Sequence, residues 1–208
     1  MKTLLIMRHG KSSWKHKELK DHERPLSKRG VRDSLKMGEL LLQRELVPQL
    51  ILVSTAVRTI ETAKLLVEAS GFQGETIALD SLYLAEAEEY LHDLLTLPNE
   101  IERVMIIGHN PGLEALLQIL SGRIEALPTG VVAYISLPIN HWTDVHNKIE
   151  GELVELWRPK ELLEVEAAEV EVEKEDKKEK EKKEDKKDDK KDDKKDLKKD
   201  KHPKKKKK

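Results

Sequence analysis

The sequence predicts an α/β protein, a three-layer sandwich with helices on both faces of a mostly parallel central sheet. Two observations support this. Short β-branched runs alternate with segments of helical apolar spacing over the first 160 residues. A segment of that length is also long enough to bury one hydrophobic interior.

Six strands are expected where short aliphatic runs are bounded by turn residues or by charged residues. Their predicted ranges are 3–8, 50–54, 76–79, 103–107, 131–137 and 153–157. The first run superficially imitates a secretion signal, but it is too short and meets Arg8 immediately. It is therefore interpreted as a strand.

Three of the expected helices have clear local signals. Ser27 is a favourable N-cap for the first, which ends before Pro48. The second covers 57–70 and ends at Gly71. The third covers 86–97 and presents an apolar face.

A fourth helix is predicted to start with Asn110 as N-cap and Pro111 at its first position. Such a start offers free backbone N–H groups and a positive dipole end to an anion. The segment 138–150 has turn residues and little pattern, so it is predicted to be a loop.

The composition changes sharply after the last predicted strand. All seven aromatic residues lie at or before Trp157, whereas 161–208 holds 20 Lys against 18 Asp plus Glu. This predicts a domain over 1–160 and a charged low-complexity tail over 161–208. The tail is expected to be disordered, or to be an exposed helix supported by i,i+4 charge pairs to about residue 183.

The tail is compatible with charged partners. Its interleaved aspartates and its lack of aromatic residues argue against specific nucleic-acid binding. No apolar stretch approaches the roughly 20 residues of a membrane span, so a cytoplasmic location is expected.

The chain has no cysteine, which excludes disulfides, thiolate catalysis and cysteine-based zinc sites. Apart from His9 and His109, the histidines show no spacing typical of metal ligands. No metal and no cofactor are therefore expected.

Basic residues and histidines follow three of the predicted strands. Arg8 and His9 end the first, Arg58 comes four residues after Ser54, and His109 follows the fourth. The carboxyl ends of parallel strands are where α/β proteins bind ligands. Phosphoryl transfer needs a nucleophile and several cations, so this set predicts phosphate chemistry.

Four motifs, in this order, resemble those of the histidine phosphatase superfamily, also called the phosphoglycerate mutase-like fold. They are Arg8-His9-Gly10, Arg24-Pro25-Leu26-Ser27-Lys28-Arg29-Gly30, Ser54-Thr55-Ala56-Val57-Arg58-Thr59-Ile60-Glu61-Thr62-Ala63 and Gly108-His109-Asn110-Pro111-Gly112. The resemblance covers about residues 1–158. The segment 8–14, the small size and Pro128-Thr129-Gly130 are most similar to SixA-type phosphohistidine phosphatases.

The resemblance implies that His9 is the nucleophile and that Arg8, Arg58 and His109 hold the phosphoryl group. Asn110, at the expected helix start, is counted with the phosphate-binding residues. Nearby guanidinium groups disfavour protonation of an imidazole, which keeps a nitrogen lone pair available for attack.

The general acid is less clearly indicated. Many members of the superfamily use an acidic residue from the region after the third strand, where Glu86 is the nearest candidate, followed by Glu88 and Glu89. Acidic residues also favour a helix N-terminus for structural reasons alone. Asp21 is another candidate, and SixA-type enzymes are thought to lack the usual acid.

The expected function is a metal-independent phosphatase that hydrolyses phosphohistidine on proteins through a phosphohistidine enzyme intermediate. One alternative is a phosphatase for small phosphate monoesters. Another is a phosphohistidine-binding or scaffold module. Mutase activity is not expected, because the chain has no room for the long insertion that covers the mutase site and has Lys15 where mutases tend to carry Asn.

Overall fold

The structure is a computed structural model, and it describes residues 1–15, 17–145 and 150–164. The described part contains the six predicted strands, all in one sheet. Their bounds are β1 (Lys2–Arg8), β2 (Leu50–Ser54), β3 (Glu75–Leu79), β4 (Arg103–Gly108), β5 (Val132–Leu137) and β6 (Glu152–Trp157). Each end lies within one residue of its predicted position.

The strand order is β3-β2-β4-β1-β5-β6. The first four strands in this order are parallel neighbours, whereas β5 and β6 join antiparallel. The prediction of a mostly parallel sheet is confirmed. Because β4 lies between β1 and β2, the ends of all three strands meet at one place on the sheet edge.

Helices cover both faces of the sheet. Their bounds are α1 (Lys28–Gln43), α2 (Val57–Ser70), α3 (Ala87–Leu95) and α4 (Gly112–Ser121). Leu4 and Ile6 of β1 face a core shared with α3 and α4. Strand residues alternate between faces, so the buried Leu5 and Met7 point to the opposite side, where α2 packs on β2 and against α1.

The predicted ends of α1 and α2 are confirmed. The Ser27 side chain accepts a hydrogen bond from the Gly30 N–H and caps α1. Gly71 ends α2 in the left-handed region, at φ 67°. A residue without a Cβ adopts this conformation at no steric cost.

The prediction for α3 is within one residue at its start and two residues too long at its end. The helix covers Ala87–Leu95, with Glu86 as its N-cap. The Thr96 N–H is shared between the carbonyl oxygens of Asp93 and Leu94, which tightens the last turn. Pro98 therefore lies three residues beyond the helix rather than directly after it.

The predicted start of α4 is also wrong. The helix begins at Gly112, Pro111 precedes it, and no side chain caps it. The Asn110 amide instead donates to Glu114 Oε1 at 2.6 Å and to the Leu127 carbonyl at 3.0 Å. These contacts use the side chain that was expected to cap the helix.

Short 3-10 helices lie at Asp21–Glu23, Asp80–Leu82 and Trp142–Asp144. The last interrupts the predicted loop 138–150, of which residues 146–149 lie outside the described residues, and its Trp142 is buried. No helix within the described ranges has the length and apolar character to cross a membrane.

The chain divides into two units, Met1–Glu161 and Leu162–Lys208. The predictions for the charged tail fall almost entirely on 165–208, which lie outside the described residues.

Candidate active site

A cavity of about 360 Å³ opens where β1, β2 and β4 end. Arg8 of β1 lies opposite Gly108 of β4, so the residues that follow, His9 and His109, leave the sheet side by side. Their ring centroids are 5.2 Å apart. The sheet register therefore brings together two histidines that are 100 positions apart in the sequence.

The cavity is strongly cationic. Arg8, Lys11, Arg24 and Arg58 line it, and Asp21 is the one carboxylate among the described residues of the lining. An excess of positive charge in a partly enclosed site favours a multiply charged anion. Guanidinium groups also match phosphate oxygens in geometry.

His9 is buried, and its two ring nitrogens have different partners. Nδ1 lies 2.7 Å from the Gly10 carbonyl oxygen, which can only accept, so Nδ1 carries the proton. Nε2 accepts from Arg58 Nε at 3.3 Å, which is a long hydrogen bond. This tautomer leaves the Nε2 lone pair at the cavity.

The pKa of His9 is lowered to about 4, mainly by burial and further by the positive charges of Arg58, Arg8 and Arg24. The hydrogen bond to Gly10 opposes this shift. His9 is therefore neutral at neutral pH. The predicted effect of the guanidinium groups has the right direction, but burial is the larger cause.

Arg58 connects most of the site. It is 3% exposed at the start of α2, and its guanidinium donates to His9, to His109 Nδ1 at 3.3 Å and to Asp21. The two contacts to Asp21 are 2.6 Å to its carbonyl oxygen and 3.0 Å to Oδ2. Arg58 is thereby held between both imidazoles.

His109 is buried beside Ser54, at the end of β2. Because Nδ1 accepts from Arg58, the ring proton is on Nε2, which lies 2.8 Å from Ser54 Oγ. Burial first, and then the charge of Arg58, lower the pKa of His109 to about 3. The backbone N–H of His109 is fixed by the Tyr90 hydroxyl at 3.1 Å.

Asp21 binds two of the cavity arginines. Oδ1 accepts from Arg24 at 2.9 Å, and Oδ2 accepts from Arg58 and from the Tyr83 hydroxyl at 3.0 Å. Partial burial acts to raise the pKa of Asp21, but hydrogen bonds from Arg24 and Tyr83 and the Arg58 charge outweigh it and lower that pKa. The carboxyl is ionised at neutral pH.

Arg8 and Arg24 reach the cavity from different elements. Arg8 is the last residue of β1, and its Nη1 donates to the Leu127 carbonyl at 2.9 Å. Arg24 precedes α1 and is buried, and its Nη2 donates to Ser12 Oγ at 2.6 Å. Both guanidinium groups are thus fixed by protein contacts before any ligand binds.

The glycines of the first two motifs allow a close approach of the α1 start. A Cβ on Gly10 would lie 2.9 Å from the Gly30 carbonyl oxygen, and a Cβ on Gly30 would overlap the Lys11 backbone. Thr62 of α2 holds the same loop from the other side, since its Oγ1 accepts a hydrogen bond from the Gly10 N–H at 3.0 Å. The loop after His9 is therefore packed between α1 and α2.

Five of the six predicted site residues line the cavity: Arg8, His9, Arg58, His109 and Asn110. Glu86 does not line it. It is the exposed N-cap of α3, where its position is explained by the helix start alone. Asp21 is the candidate acid that the structure does bring to the cavity.

Arg24, Trp14 and Leu84 also line the cavity, although they are not among the predicted site residues. Arg24 is the first residue of the second motif, and this motif was the signal that could have placed it in the site. Trp14 ends the segment 8–14, whose resemblance to SixA-type enzymes was a signal for it, whereas Leu84 lies in a segment without periodicity and no local pattern marks it. Nowhere in residues 1–15, 17–145 and 150–164 do three or more acidic or histidine side chains gather as metal ligands would.

Comparison with known proteins gives concordant results. The model of the histidine phosphatase superfamily (branch 1) matches residues 4–82. An uncharacterised chloroplastic protein of Arabidopsis thaliana is 35% identical over 150 residues, which cover 68% of this chain and 69% of that protein.

Two solved structures share the fold at 25% identity, and both are candidate phosphohistidine phosphatases SixA. The one from Nakamurella multipartitia has a TM-score of 0.65 and covers 76% of this chain and 96% of its own. The one from Agrobacterium tumefaciens has a TM-score of 0.66, with 76% and 98% covered. Sequence and fold together show that the chain belongs to the histidine phosphatase superfamily.

Proposed function

We propose that the protein is a phosphatase that hydrolyses phosphohistidine on protein substrates, without a metal, through a phosphorylated His9. One observation carries the proposal. The neutral His9 directs its Nε2 lone pair into a cavity of guanidinium groups, whereas the carboxyl that lines this cavity, Asp21, is held ionised.

In the first step, Arg58 Nε gives up its hydrogen bond to His9 Nε2, and the freed lone pair attacks the phosphorus atom of the substrate. A new N–P bond forms as the N–P bond of the substrate breaks, and the leaving imidazole keeps the electron pair. The guanidinium groups of Arg8, Arg24 and Arg58 stabilise the three equatorial oxygens of the transition state. These fixed charges act in the place of a metal ion.

Among the described residues of the lining, the one carboxyl group is that of Asp21, and because it is ionised the site favours an N–P over an O–P bond. An alkoxide leaving group is strongly basic and needs a proton as it departs. A phosphorylated imidazole that is protonated on its other nitrogen leaves as neutral imidazole. The ionised Asp21 therefore suits phosphohistidine better than an alkyl monoester.

In the second step, a water molecule attacks the phosphorus atom of phosphorylated His9 from the side opposite Nε2. The N–P bond of the intermediate breaks, inorganic phosphate leaves, and His9 is restored. Its Nδ1–H remains bonded to the Gly10 carbonyl, which stabilises the positive charge that the ring carries while it is phosphorylated.

His109 becomes a donor when a phosphoryl group arrives. In the structure its Nδ1 accepts from Arg58. A bound dianion draws Arg58 towards itself and favours a proton on Nδ1. The Ser54 hydroxyl can then donate to Nε2 across the same 2.8 Å contact.

Two structural neighbours that are candidate phosphohistidine phosphatases support this class of substrate. A comparison of kcat/KM for a phosphohistidine peptide and for an alkyl phosphate monoester tests the choice. We expect the peptide to be preferred by at least tenfold, and we expect Glu86→Gln to leave that preference unchanged. Faster turnover of the monoester than of the peptide would favour the monoester phosphatase instead. So would a Glu86→Gln variant that loses turnover of the monoester but keeps turnover of the peptide.

A further inference from the structure

Two large apolar side chains are exposed at the mouth of the cationic cavity. Trp14 is 69% exposed and Leu84 is 55% exposed, and both line the cavity. They come from distant segments, one after β1 and one before α3. By contrast, the other two tryptophans, Trp142 and Trp157, are buried.

Trp14 is held in position although it is exposed. The Arg24 guanidinium lies 3.3 Å from the centroid of its ring. Arg24 in turn is fixed by Ser12 Oγ and by Asp21 Oδ1. One face of the indole is therefore occupied. Because the side chain is already ordered, a partner that covers its other face loses little conformational entropy on binding.

The segment around Trp14 is also positively charged. Residues 11–20 contain Lys11, Lys15, Lys17 and Lys20 against one glutamate. All four lysines are exposed. Acidic side chains on a partner would be attracted to this segment.

We infer that Trp14 and Leu84 dock the polypeptide that carries the phosphoryl group. This inference rests on the proposed function and deepens it. The phosphoryl group occupies the cations of the cavity, an apolar residue beside the phosphohistidine covers the free face of Trp14 and Leu84, and acidic residues beyond it lie along the lysines.

Fluorescence quenching tests the docking without turnover. Because Trp142 and Trp157 are buried, acrylamide quenches mainly Trp14 in the full-length protein. In His9→Ala, a phosphohistidine peptide with an apolar neighbour and acidic flanks should reduce the quenching constant at least twofold. Orthophosphate should not reduce it, and equal quenching with and without the peptide would overturn the inference.

Kinetics provide the second test. Trp14→Ala and Leu84→Ala should each lower the ratio of kcat/KM for the peptide to kcat/KM for phosphoramidate by about tenfold. Leu42→Ala removes an equally exposed leucine on α1 and should leave the ratio unchanged. An unchanged ratio in both mouth variants would refute the docking role, whereas turnover by His9→Ala would refute the proposed function itself.

Discussion

Among single residues, His9 and His109 share a site in which positive charge on the ring is disfavoured. Both are buried, and both are close to Arg58. Their pKa values are lowered to about 4 and about 3, compared with about 6.5 for an ordinary histidine. The neutral forms therefore persist far below neutral pH.

We expect the ring nitrogen signals of His9 and His109 in NMR spectra to show no protonation between pH 8 and pH 5.5. The sign follows from the shifts, because a lowered pKa keeps each ring neutral until the pH falls to the new value. The urea-unfolded chain provides the control, where histidines should titrate near pH 6.5. A midpoint above pH 6 for His9 in the folded protein would contradict this expectation.

Asp21 competes with a bound phosphoryl group for the same arginines. Its carboxylate occupies Arg24 and Arg58, which are both cavity cations. We expect Asp21→Asn to tighten orthophosphate binding by roughly threefold to tenfold, as measured by calorimetry, because one like charge is removed.

Glu23→Gln is the matched control for Asp21, since it removes a carboxylate from the same short helix outside the cavity lining. It should leave orthophosphate affinity within about twofold of the wild type. Weaker binding by Asp21→Asn would show that the carboxylate mainly positions the arginines.

The sequence predicts the positions of some of these residues in full and of others only in part. His9, Arg58 and His109 follow strands or begin a helix, so their convergence follows from a parallel sheet. Trp14 and Asp21 lie in an irregular segment between β1 and α1. The sequence marks Trp14 through the 8–14 motif and Asp21 as a candidate acid, but their exact positions depend on contacts with Arg24 and Arg58, which no local pattern specifies.

At the level of elements, the approach of α1 to α2 fixes the base of the site, because α2 carries Arg58. Gly38 of α1 lies against α2, and a Cβ there would be 2.6 Å from the Leu66 carbonyl oxygen and 2.7 Å from Ala69 Cβ. The helices can be this close only with hydrogen at that position.

We expect Gly38→Ala to lower the free energy of unfolding by about 1–2 kcal/mol in urea denaturation. Overpacking lowers the free energy of unfolding by about 1–3 kcal/mol, and the higher helix propensity of alanine offsets up to about 1 kcal/mol of that loss. Glu39→Ala changes the neighbouring exposed position and should have an effect within about 0.5 kcal/mol. Equal or greater stability of Gly38→Ala would show that the two helices separate easily.

The elements themselves were largely predictable because their signals are local. Ser27, Gly71 and the aliphatic runs mark their own boundaries. The start of α4 was not predictable in this way, since Asn110 has a good N-cap side chain that Glu114 and the Leu127 carbonyl engage instead. A distant carbonyl group thus overrides a local preference.

For the whole molecule, every residue assigned to the site lies within the compact unit Met1–Glu161. The segment 174–208 of the other unit has Leu197 as its only aliphatic residue. We expect deletion of residues 166–208 to change kcat/KM for phosphoramidate by less than about twofold and the melting temperature by less than about 2 °C. A large loss of either would mean that the tail supports the domain.

The phosphorylated His9 intermediate is the central claim, and it can be trapped directly. The full-length protein would be mixed with a peptide labelled with radioactive phosphorus at phosphohistidine and then quenched in alkali. We expect an acid-labile, alkali-stable label on the fragment that contains His9, no label and no turnover in His9→Ala, and both retained in His92→Ala, which changes an exposed residue of α3. Label on another residue, or wild-type turnover by His9→Ala, would contradict the mechanism.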